Sequence, residues 1–281
     1  MAHGRGNPFP FLRDPAVMSA GSELDGKVAV VTGGNQGIGL AIARAMAAAG
    51  ASVAIAARTE ESLERAARTV RGLGVDCLAI PCDVRDPESA DTMAAGVLQH
   101  FGHVNVVVAN AGIAGAIRPM HEITYEEWRD CLTTDLDGVY LTFRRFLPRM
   151  IEAAQGGSLI AVSSMTGKRP LPERTPYCAA KMGVIGLVRS LAMELGRHGI
   201  RVNSVCPGAV GGERLDRVVR QSAQARGITE AEAMHQFSDA SPLKRTTNVE
   251  EVAAACVFLA SDASSGITGE DMNVSAGVVM Y

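Results

Sequence analysis

Seven short apolar runs, separated by stretches long enough to form helices, constrain the fold of this chain more than any other feature. The runs fall at 27–32, 52–56, 76–80, 104–109, 158–162, 200–205 and 270–274. They are rich in Val, Ile and Ala and do not alternate apolar with polar residues, which is the pattern of strands buried on both faces. Segments of helical length lie between them, at 38–49, 60–71, 87–100, 125–151, 176–197 and 249–259. A chain that alternates in this way is expected to be α/β: a doubly wound, mostly parallel seven-stranded sheet with helices on both faces. No internal repeat, low-complexity tract or second-domain boundary breaks the rhythm, so 27–281 reads as a single domain.

Two segments stand outside this pattern. Residues 1–26 carry Pro8, Pro10 and Pro15 but no apolar stretch of the kind a secretory signal needs. They are expected to form an arm, disordered or laid against a neighbouring subunit. Residues 208–245 are rich in charge and helix formers, and are expected to close over a substrate as a lid. Within them Arg214, Arg217 and Arg220 could recognise a carboxylate or phosphate of the substrate, but they read most simply as a solvated helix face, with Leu215, Val218 and Val219 turned inward. His235 reads as a surface or packing histidine. A net charge of -3 offers nothing that would attract nucleic acid or an acidic membrane. No apolar run approaches the length of a membrane span. Cys77, Cys82, Cys131, Cys178, Cys206 and Cys256 are scattered, without the spacing of a disulfide framework or a metal site. They read as reduced thiols used as small apolar residues, which points to the cytoplasm.

The first strand runs directly into a glycine-rich turn, Val30-Val-Thr-Gly-Gly-Asn-Gln-Gly-Ile-Gly39. Gly33, Gly37 and Gly39 follow a strand and open a helix, the setting in which such glycines carry meaning. They let the backbone turn tightly and approach a pyrophosphate, whose charge the helix N-terminus favours. This turn makes the sheet a Rossmann-type, dinucleotide-binding one.

Further along, the strand at 158–162 leads into Ser164, and Tyr177-Cys-Ala-Ala-Lys181 begins a helix. Tyr177 and Lys181, four residues apart, share one helix face. An ammonium beside a phenol favours its phenolate, so Tyr177 can donate and accept protons near neutral pH. Ser164 can hydrogen-bond a substrate oxygen and hold it against that phenol.

With these motifs in order, the chain resembles the short-chain dehydrogenase/reductase family, in its single-domain branch, from Leu24 to the end. Thr32, Gly33, Gly37 and Gly39 match the family's cofactor turn, within which Asn35, Gln36 and Ile38 are also placed on the cofactor. Asp83 and Val84 match its adenine contact, Asn110-Ala111-Gly112 its second structural signature, and Pro207-Gly208, with Val210, the turn beside the nicotinamide. Ser164, Tyr177 and Lys181 match the catalytic residues, with the serine 13 positions before the tyrosine. The resemblance implies hydride transfer between a nicotinamide and a small-molecule carbonyl or alcohol. In it Tyr177 exchanges the proton, Ser164 positions the oxygen, and Lys181 holds the nicotinamide ribose. It also implies a homotetramer or homodimer built on the long helices at 125–151 and 176–197.

Cofactor preference is read from the end of the second strand. An acidic residue there would repel a 2′-phosphate, but this chain has Ala57, then Arg58 and Thr59. A guanidinium suits a phosphate, so NADP(H) is favoured and NAD(H) remains possible. Two positions depart from the family pattern. Asp135 stands where an asparagine usually supports a water linked to the lysine, and Gly212 stands where a threonine often contacts the carboxamide. The enoyl reductases of this fold place six residues between tyrosine and lysine, against three here. The remaining alternative is a non-catalytic dinucleotide-binding sensor or scaffold of the same fold.

Overall fold

The computed structural model describes residues 23–281. Its strands are β1 (Val28–Thr32), β2 (Ser52–Ala57), β3 (Cys77–Pro81), β4 (Val106–Ala109), β5 (Gly157–Val162), β6 (Ile200–Pro207) and β7 (Asp271–Val274). They form one sheet in the order β3-β2-β1-β4-β5-β6-β7, and every pairing is parallel. Each lies within two residues of the run that predicted it.

The runs lack alternation because both faces of the sheet are covered. Helices α1 (Gly37–Ala48), α2 (Glu60–Arg71), α3 (Pro87–Phe101), α4 (Tyr125–Leu132), α5 (Gly138–Ala153), α6 (Thr175–Leu195), α7 (Glu213–Arg226), α8 (Glu230–Asp239) and α9 (Val249–Ala260) surround it. Val31, Ile55, Val108 and Ile160 pack on one side with Ile42 and Met46 of α1, Leu63 of α2 and Leu259 of α9. Val30, Val107, Leu159 and Val202 point the other way, onto Met93 of α3, Phe143 and Phe146 of α5, and Val188 of α6. Full burial of side chains this size stabilises the fold by about 1.5–3 kcal/mol each.

The segment at 125–151, expected as one helix, is helical from end to end but not regular. α4 starts on a capping box in which the Thr124 hydroxyl accepts from the Glu127 amide (3.2 Å) and the Glu127 carboxylate accepts from the Thr124 amide (3.0 Å). It then passes through one π-helical turn, Thr133–Asp137, before α5 begins. The extra residue in that turn faces Thr134 and Asp135 inward, while Phe143, Phe146 and Met150 stay on the sheet. Trp128 on α4 is half-buried and is not a core residue.

Most of the expected arm at 1–26 lies outside the described residues. Its described end belongs to the fold: Leu24 is fully buried and its amide donates to Ala49 O at 2.9 Å. The segment at 208–245 forms the pair α7 and α8, which share a small core of Leu215, Val219, Ala223 and Ala233. The six cysteines are unpaired thiols, five of them buried. Among the described residues no helix is long and apolar enough to cross a membrane.

Candidate active site

Chain order reverses between β1 and β4, neighbours in the sheet whose crossovers run in opposite directions. Ligands of open α/β sheets bind at such a switch point, outside the carboxyl ends of the strands. A cleft of about 880 Å³ opens here. Gly33, Asn35, Gln36, Gly37, Ile38 and Gly39 line it from the glycine turn, and Arg58 and Thr59 from the end of β2. Asp83 and Val84 follow β3, and Asn110, Ala111 and Gly112 follow β4. Ser164, Tyr177, Lys181, Pro207, Gly208 and Val210 complete the far end. Of the residues singled out in the sequence, Thr32 and Asp135 lie behind the wall, at 1% and 0% exposure.

The turn suits a dinucleotide. Gly37 has φ +53 with open space where a side chain would stand, and a Cβ at Gly39 would collide with the Gly33 carbonyl and the Asn110 side chain. Gln36 makes no side-chain cap on α1, whose first turn holds no acid, so its leading amides are left for an anion. Thr32 and Asn110 set this geometry from behind. The Thr32 hydroxyl accepts from the amides of Asn110 (3.1 Å) and Ala111 (3.2 Å), and Asn110 Nδ2 donates to Thr32 O at 2.9 Å. The ends of β1 and β4 are thereby tied together.

At the opposite end of the turn Asn35 Nδ2 donates to the Ser62 hydroxyl (2.9 Å), and Arg58 is exposed at the cleft edge. Asp83 is engaged by Arg85, which donates to both carboxylate oxygens (Nη2 to Oδ2 at 2.6 Å, Nε to Oδ1 at 3.0 Å). That hydrogen bonding holds the Asp83 carboxyl below the usual carboxylate range.

The chemistry-bearing groups meet where β5 ends against α6. Tyr177 and Lys181 share the inner face of α6, with Lys181 Nζ 5.6 Å from the centre of the Tyr177 ring. Lys181 is 3% exposed; its Nζ donates to Val162 O at 3.0 Å and lies 3.4 Å from Asp135 Oδ2. Asp135 Oδ1 accepts from the Ile113 amide at 2.7 Å, so one carboxylate joins the lysine to the loop after β4. Ser164 Oγ accepts from both the amide (3.2 Å) and the hydroxyl (3.0 Å) of Thr166.

Two features of the site were not read from the sequence. Thr166 orients Ser164 from two residues away. Arg174 lines the cleft, its guanidinium carbon 4.6 Å from the centre of the Tyr177 ring and its Nη2 donating to Ala114 O at 3.1 Å. A turn with Glu173 at φ +62 aims it there. Gly212, singled out in the sequence, has φ +126, a conformation that disfavours the threonine common at this place, and it stands just before α7 as its N-cap residue.

Comparison with known proteins agrees with this geometry. A family model described as enoyl-(acyl carrier protein) reductase matches residues 33–279. The chain is 38% identical to the cis-4-hydroxycyclohexanecarboxylate dehydrogenase of Sinomonas cyclohexanicum, over 89% of this chain and 96% of that one. It superimposes on a single-residue variant of the actinorhodin polyketide ketoreductase, solved with NADPH, with a TM-score of 0.87 at 32% identity, covering 92% of this chain and 99% of that one. The carveol dehydrogenase of Mycobacterium avium, solved with NAD, gives a TM-score of 0.87 at 30% identity, over 92% and 99% of the two chains. The chain belongs to the short-chain dehydrogenase/reductase family. It is an oxidoreductase of the class that acts on CH–OH groups with NAD(P).

Proposed function

We propose that this protein is an NADP(H)-dependent oxidoreductase that interconverts a ketone and a secondary alcohol, with Tyr177 as its general acid and base. The observation that carries the reading is the convergence of Ser164, Tyr177 and Lys181 on the cleft that the glycine turn opens. When bound, the nicotinamide gives or takes a hydride at the substrate carbon, and the protein handles the oxygen and its proton. Thr166 fills both acceptor positions of Ser164, which leaves the serine's one hydrogen for a substrate oxygen. Tyr177 then gives its proton to that oxygen in reduction, or removes it in oxidation. Lys181, fixed by Val162 O and Asp135, stands beside the phenol, where it can hold a nicotinamide ribose.

The three residues between Tyr177 and Lys181 favour carbonyl over enoyl chemistry, although the matching family model bears an enoyl reductase description. The pair α7 and α8, with Leu215, Arg217 and Phe237 on the cleft, supports the reading of 208–245 as a lid. For the cofactor, Ala57 removes the acid that would repel a 2′-phosphate, and Arg58 beside Ser62 and Asn35 can receive one. The related structures were solved with NADPH in one case and NAD in the other, so the choice between them rests on Arg58.

The test is nicotinamide oxidation by the purified protein across a panel of ketones, acyl thioesters and sugars. Turnover of at least one ketone is expected, with kcat/KM higher for NADPH than for NADH by about tenfold or more. That figure follows because a charged hydrogen bond contributes roughly 1.5–3 kcal/mol. Arg58→Ala is expected to erase most of the ratio. Equal or better efficiency with NADH would overturn the cofactor assignment, and NADPH binding with no turnover of any carbonyl would favour the sensor reading. The proposal extends to a homotetramer on α5 and α6, where Tyr140, Met182 and Met193 are exposed. A monomeric mass by light scattering would refute that extension.

A further inference from the structure

Asp135 alters the electrostatics behind Tyr177. Its carboxylate is fully buried, and its Oδ2 faces Lys181 at 3.4 Å. A carboxylate this close opposes the lysine's field at any third group, so the pair acts on Tyr177 more as a dipole than as a charge. A second cation lies nearer the ring centre. The Arg174 guanidinium sits 4.6 Å from the Tyr177 ring centre, against 5.6 Å for Lys181 Nζ. It is held there by its bond to Ala114 O. Glu173, just before it, adopts a left-handed conformation costly for a residue with a side chain, which such segments retain where the surroundings over-determine it.

The other groups around Tyr177 do not supply this charge. From α4, Cys131 packs on the same loop residue, Gly115, as Tyr177 does. Burial and then the Asp135 charge push its thiol up to about 12, so it is neutral at working pH. Cys178 on α6 points its thiol at Leu171 O (3.9 Å). Besides Arg174, the β5–α6 loop brings the hydroxyls of Ser164 and Thr166, while its Lys168 pairs with Asp271 at 2.9 Å and its Arg169 is exposed. Arg118 and Glu127 pair with each other at 2.7 Å on the surface, and the Glu173 side chain is exposed.

We propose that Arg174 is a positioning residue for the reaction: stacked on Tyr177, it supplies the positive field that favours the phenolate where Asp135 offsets that of Lys181. A guanidinium suits this role because it stays charged at every working pH and stacks on aromatic faces. The role rests on the reading of Tyr177 as the acid and base.

The test follows phenolate absorbance of the full chain as pH is raised. Tyr177 is isolated by subtracting the same protein carrying Tyr177→Phe. Arg174→Met is expected to raise the Tyr177 midpoint by about one pH unit, the lower end of what a unit charge at this distance does. Arg174→Lys is expected to return most of that shift, and Asp135→Asn added to Arg174→Met to lower the midpoint again by freeing the lysine's field. In alcohol oxidation, turnover that Arg174→Met loses at neutral pH is expected to come back as pH rises by the same amount. An unchanged midpoint in Arg174→Met, or no response to Asp135→Asn, would overturn the proposal. Arg174→Gln, which keeps a donor for Ala114 O, takes the place of Arg174→Met where the latter does not fold. Full turnover by Tyr177→Phe alone would instead sink the acid–base reading, and the absorbance titration needs no turnover, so the two failures can be told apart.

Discussion

Tyr177→Phe is expected to lower turnover about a thousandfold, the middle of the range that a positioned acid or base contributes. The substitution removes one oxygen and keeps the ring, which is 9% exposed and covered by the Arg174 guanidinium. The fold and the stacking therefore survive, and the loss falls on kcat much more than on cofactor affinity. Steady-state rates in both directions, paired with a fluorescence titration of NADPH, measure the two quantities separately. Turnover within about tenfold of the unaltered protein would mean that another group moves the proton.

The second large effect is expected from Lys181→Met, on activity and stability together. Methionine fills much of the same volume but leaves Asp135 facing an apolar side chain, with only the Ile113 amide to satisfy it. Removing one partner of a buried ion pair typically costs about 3–5 kcal/mol, and the retained hydrogen bond sets the expectation near the lower end. Urea unfolding followed by circular dichroism gives the number. Adding Asp135→Asn is expected to recover much of the stability and none of the activity, because an amide still accepts from Ile113 without a buried charge. A loss below about 1 kcal/mol for Lys181→Met would show that the two charges are not coupled in the folded protein.

Much of this site was legible in the sequence because its parts are local. The glycine turn, Asn110-Ala111-Gly112, Ser164, and the Tyr177–Lys181 pair each combine a strand end or helix start with residues a few positions apart. The strands were legible for a related reason: burial on both faces demands unbroken apolar runs. What was missed depends on the backbone or on distant contacts. Nothing in the side chains of 125–151 marks a π turn, because apolar residues recur on either side of it. Arg174 is aimed by a left-handed Glu173, a residue type that does not announce that conformation. Asp135 could be read as a substitution, but not as the group that ties Lys181 to the Ile113 amide, since neither partner is near it in sequence.

The π turn at Thr133–Asp137 has a consequence for how this region tolerates change. An α-helix advances about 100° for each residue, so one additional residue resets the angular phase between α4 and α5. With it, Asp135 points at Lys181 while the aromatic side chains of α5 keep their bearing on the sheet. Deleting any one residue from the turn would restore a continuous screw and swing either the carboxylate or the aromatics around by that angle. The number of residues in this turn is therefore as much a part of the site as their identity.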